Sequence, residues 1–74
     1  MDLQEVRLAL DEMESIRLAD LEAMYHEDAA QEMGVSRATF GRILEGARRK
    51  VAEAIVQGKA LRIETSEKQK GERV

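Results

Sequence analysis

The sequence holds no cysteine and no proline, and its one histidine is His26. Without cysteine there is no disulfide framework and no thiolate zinc site, and the expected compartment is a reducing cytoplasm. A single histidine cannot build a histidine metal cluster within one chain, so no cofactor or metal is expected. Proline would interrupt helices. Its absence, together with frequent alanine, leucine, glutamate and arginine, points to a mostly helical chain. Apolar runs are only a few residues long and there is no secretory pattern, so neither a membrane span nor export is expected. No nucleophile–base set or phosphate-binding glycine loop is evident, and the acids are spread along amphipathic helices. An enzyme is therefore not expected.

What remains is a chain of 74 residues, one domain with little core to bury. Its net charge of −3 hides a polarity. Residues 1–36 carry ten acids against two bases, whereas residues 37–62 carry seven bases against two acids. Counterion release depends on the local face rather than on the total, so a basic second half can serve a polyanion in an acidic protein.

The stretch Glu27–Leu44 has the grading of a helix, a three-residue turn and a second helix. Ala29 and Ala30 are small where two helices cross closely. Gly34 suits a left-handed helix end. Val35 fills the angle, and Ser36 can cap the next helix by accepting from the amide of Ala38 or Thr39. Phe40 and Ile43 then turn to the core. This is a helix-turn-helix pattern, whose second helix reads the DNA major groove. An ordinary helical hairpin is the structural alternative.

Ahead of it, Val6–Leu10 alternates like a short strand or a frayed helical lead-in. Asp11 has capping-box spacing to Glu14, predicting a helix from about Glu12 to Ala23 or Met24. Met13, Ile16 and Met24 share one side, while Leu18 and Leu21 widen the apolar surface. Tyr25 stands where a capping serine would be expected, and His26 reads as an exposed first-turn residue. Beyond Ser36, the residues Phe40, Ile43, Leu44, Ala47, Val51, Ala54 and Ile55 hold one stripe of about 120°, and Gly58 marks its end. A helix from Arg37 to Gln57 would run about 31 Å, longer than the crossing needs. Lys59–Thr65 alternates as a strand with Leu61 and Ile63 on one face. It could fold back on Val6, Leu8 and Leu10, or meet its counterpart in a homodimer. Residues 1–65 form the expected domain, and residues 66–74 a disordered tail.

The face opposite the stripe displays Ala38, Arg42, Glu45, Arg49 and Glu53, while Arg37 and Arg48 border one side of the stripe and Thr39 and Lys50 the other. Arg42 is the expected base reader, since a guanidinium can engage guanine O6 and N7 together. Ser36, Arg37 and Thr39 could reach phosphate or a base edge, and Ala38 a thymine methyl. Arg48, Arg49 and Lys50 are phosphate candidates. Gly41 costs about 1 kcal/mol inside a helix relative to alanine. Either a close DNA strand or helix-on-helix packing would account for it.

These residues resemble a known family. Arg17–Ala23, Ala29-Ala30, Met33–Arg37, Thr39–Leu44, Ala47-Arg48, Lys50–Ala54 and Gly58–Leu61 are similar to the UPF0251 family of predicted DNA-binding proteins, over about residues 8–64. Its helix-turn-helix is similar to region 4 of sigma-70-type factors. The resemblance implies an all-α fold, a small helical bundle with a helix-turn-helix and room for short terminal strands. It implies double-stranded DNA as partner and transcription regulation as role. Region-4-like folds also dock on RNA polymerase and regulators, so a protein-interaction module using the acidic half is the alternative.

Overall fold

The computed structural model describes residues 4–64. The order is strand β1 (Glu5–Leu8), helix α1 (Leu10–Ile16) with a π-helical turn (Arg17–Leu21), helix α2 (His26–Met33), helix α3 (Arg37–Gln57) and strand β2 (Ala60–Ile63). The protein is thus mostly helical, but it is not all-α. The two strands form a parallel sheet in the register Glu5↔Ala60, Val6↔Leu61, Arg7↔Arg62 and Leu8↔Ile63. Parallel strands need a long crossover, and here the whole helical segment supplies it. The strand alternatives are therefore resolved for the main chain: β2 pairs with β1 of its own chain. Thr65 and the expected tail, 66–74, lie outside the described residues.

The core centres where the π-helical turn and α2 meet α3. Phe40, Leu44, Leu18, Ala29 and Ala30 form its buried cluster, with Ile16, Ala19, Met24, Met33 and Val35 packed around them. Ala29 and Phe40 are fully buried, as the small-against-large grading requires. Gly34 takes φ 70°, and its amide reaches the carbonyls of Ala30 and Gln31. Ser36 Oγ accepts from the Thr39 amide at 3.0 Å. Gly58 closes α3 with φ 65°. These termini fall where the sequence sets them.

The first helix departs from expectation. It begins at Leu10, not Glu12, and Asp11 is not its cap. Ala9 occupies the cap position in an extended conformation. Its side chain has no acceptor, so only half of a capping box exists: Glu12 Oε1 accepts the Ala9 amide at 2.9 Å. Glu14, freed from the predicted role, binds Arg17 at 2.7 Å instead. The helix also stops early. The Glu22 amide bonds the Arg17 carbonyl, five residues back, and this wider turn takes Leu21 off the side that buries Leu18. Leu21 is 75 % exposed. Ala23, at φ 57°, then reverses the chain.

His26 corrects another expectation. It is half-buried rather than exposed, its ring edge-on to Phe40 with centroids 5.3 Å apart. Along α3 the stripe is buried at Phe40, Leu44, Ala47 and Ala54, but Ile55 is 74 % exposed. Among the described residues, no helix is long and apolar enough to cross a membrane.

Candidate nucleic-acid interface

Helix α3 positions every residue of the candidate site except its cap, Ser36. At 100° per residue, Ala38, Arg42 and Arg49 stand opposite the Phe40–Leu44–Ala47 side. Arg42 and Arg49 are seven residues apart, so they lie within about 20° of each other and about 10.5 Å apart along the axis. Both are exposed, as are Arg37, Ala38 and Glu45.

The cap is locked twice. Ser36 Oγ accepts the Thr39 amide at 3.0 Å, and its hydroxyl donates to Thr39 Oγ1 at 3.0 Å. Thr39 is half-buried, so the two hydroxyls fix the first turn of α3. Gly41 has open space where a side chain would begin: a Cβ there meets no atom within 4 Å. Helix-on-helix packing therefore does not explain this glycine.

Two of the expected phosphate contacts are already engaged. Arg48 forms a two-pronged pair with Asp20, at 2.6 and 3.2 Å. Lys50 Nζ donates to Glu12 Oε1 at 2.8 Å. Both acids come from the first helical segment, 28 and 38 residues away, a distance that no local pattern spans. The Arg48 hydrogen bond and charge hold the Asp20 carboxyl below its usual range. At Glu12 burial pushes the other way, but the hydrogen bonds from Lys50 and the Ala9 amide, with the Lys50 charge, outweigh it and lower that pKa too. Glu14 is lowered chiefly by its hydrogen bond from Arg17.

The α3 cations thus sort into two groups. Arg48 and Lys50 are tied to the first helical segment. Among the described residues, Arg37, Arg42 and Arg49 have no carboxylate within ion-pair distance. Near Arg37, an open depression is lined by Met24, Tyr25, His26 and Glu27, bringing the start of α2 to the start of α3. The described residues include no group of three histidines or acids placed to hold a metal.

The profile of the family described as "Protein of unknown function DUF134" matches residues 1–71. A UPF0251 protein of Chlorobaculum tepidum is 61% identical over 62 residues, covering 84% of this chain and 40% of that protein. The chain belongs to the UPF0251 family. Other members include a UPF0251 protein of Desulforudis audaxviator, 57% identical over 85% of this chain and 41% of its own length. One from Halothermothrix orenii is 54% identical over 85% of this chain and 47% of its own. This UPF0251 chain therefore spans less than half the length of these relatives. No solved structure matches it.

Proposed function

We infer that this UPF0251 chain is a DNA-binding module, with α2, the Gly34–Ser36 turn and α3 acting as a helix-turn-helix and α3 entering the major groove. One observation carries the reading: Arg42 and Arg49 project from the side of α3 opposite the core, with no carboxylate within ion-pair distance among the described residues. Arg42 lies in the second turn, where such helices meet base edges, and is the base reader. Arg49, about two turns farther along the same side, suits a phosphate. Arg37 and the locked Ser36–Thr39 cap serve the backbone at the helix start, and Ala38 faces the bases. Open Gly41 lets a strand approach. The setting for this role is the cytoplasm, and the role itself is transcription regulation.

Duplex binding with a steep salt dependence is the expected behaviour, because each neutralised phosphate releases counterion. Fluorescence anisotropy with a random duplex pool, from low to moderate salt, tests it. Arg42→Ala should cost about 1–3 kcal/mol on a selected site and relax preference at one base pair. Unchanged affinity in both Arg42→Ala and Arg49→Ala would remove α3 from the groove.

A second reading has its own support. Leu21 and Tyr25 are 75 % and 81 % exposed, with acidic Glu22, Glu27 and Asp28 around them in sequence. That combination suits docking on RNA polymerase or another regulator. Under this reading duplex affinity is weak and the Arg42 variant is silent.

A further inference from the structure

We propose that the outer edge of β2 pairs antiparallel with β2 of a second copy of this chain, across a two-fold axis at Ile63. This pairing is independent of DNA binding. The Ala60 and Glu64 amides donate to Gln4 and Leu8 of β1. Backbone groups alternate in direction along a strand, so Leu61 and Ile63 turn their N–H and C=O away from β1. No described residue of the chain pairs with that edge.

Side-chain burial says which edge has something to gain. Register partners in a sheet share a face, so Leu61 and Ile63 lie on the same side as Val6 and Leu8. Yet Val6 and Leu8 are 7 % and 2 % exposed, whereas Leu61 and Ile63 are 41 % and 45 %. Helix α3 covers β1 and leaves β2 overhanging. The last turn of α3 adds exposed Ile55 and Val56. A partner on the β1 edge would find its apolar side already covered, while a partner on the β2 edge extends the cover over Ile63.

Charge selects the occupant and the register. The opposite face of the sheet carries Arg62 beside Glu5 at 3.7 Å and Arg7 beside Glu64 at 3.8 Å. A two-fold at Arg62 would set two arginines directly opposite, which is destabilising. A two-fold at Ile63 sets Arg62 opposite the second copy's Glu64, and Glu64 opposite its Arg62. It also makes Ile63 a hydrogen-bonded pair with itself. One strand thus carries both halves of the complement, as a two-fold contact requires.

Sedimentation of the 74-residue chain at micromolar concentration should give a dimer. Ile63 is half exposed in the protomer, so Ile63→Asp should leave the helical signal intact and raise the dissociation constant at least about tenfold. The native chain has no cysteine, so a single introduced thiol reports one contact. Ile63→Cys should be joined by the shortest bismaleimide, since the paired Cα atoms would lie about 5.5 Å apart. Leu61→Cys should not, its copies being offset by about 13 Å along the strands. A monomer at these concentrations overturns the proposal. So does linking through Leu61→Cys or Arg7→Cys in preference to Ile63→Cys.

Discussion

A single oxygen, Glu12 Oε1, accepts the Ala9 amide at 2.9 Å and the Lys50 ammonium at 2.8 Å. One side chain therefore starts α1 and ties it to the middle of α3. Glu12→Ala removes both contacts and leaves the Ala9 amide without its capping acceptor. The expected loss is about 1–2 kcal/mol. In a domain of this size that lowers the thermal midpoint by several degrees, about 4–8 °C for each kcal/mol. Lys50→Ala should act the same way, more weakly, and leave any salt dependence of DNA binding nearly unchanged.

The same contacts set the response to acid. Glu12, Glu14 and Asp20 all have folded pKa values below their ordinary ones. Near and below pH 4, where unperturbed carboxylates titrate, the unfolded chain takes up protons that the folded chain resists. Their stabilisation is complete above that range and is lost as pH falls through the lowered values. Urea midpoints measured from pH 6 down to pH 3 should fall, and the Glu12→Gln variant should fall less steeply.

Asp20 engages Arg48 through both carboxylate oxygens. If α3 binds DNA, Asp20→Asn releases a cation and should steepen the salt dependence by about one counterion. The stability change should stay below about 1 kcal/mol, because the pair is largely exposed. Parallel salt titrations of the variant and the parent measure the difference. Equal slopes would mean that Arg48 does not face phosphate even when free.

Gly41 separates folding from binding. A Cβ there has open space around it, so Gly41→Ala should stabilise the helix by up to about 1 kcal/mol. If a DNA strand approaches at this point, the same variant loses duplex affinity. Thermal unfolding and anisotropy on one preparation give both answers. A more stable protein with undiminished affinity would leave the glycine without a binding role.

Phe40 is fully buried and meets His26 edge-on. Truncation to alanine should cost about 3–5 kcal/mol, a large share of the stability of a domain this small. Cooperative thermal unfolding followed by circular dichroism should disappear. A sharp transition at the parent temperature would contradict the packing.

The middle of this protein follows from signals a few residues long. Gly34, Ser36 and Gly58 act through backbone dihedrals and hydrogen bonds within a few residues, and the apolar period of α3 expresses helix geometry alone. Those signals are local, so α2, its turn and both ends of α3 were legible. The first helix was not, because Asp11 offered a cap on spacing alone while Glu12 satisfied both the Ala9 amide and a lysine 38 residues away. That contest is settled by contacts across the fold, and so is the pairing of Arg48 with Asp20. Helix periodicity sets Arg48 at the border of the apolar stripe and Arg42 and Arg49 opposite it, but it names no partner for any of them. Among the described residues, which α3 cations meet a carboxylate depends on where the first segment crosses α3. The strand alternation at both ends was readable too, but alternation names only a face. That β1 and β2 lie parallel, with α3 beneath one and not the other, follows from the path of the whole helical crossover between them.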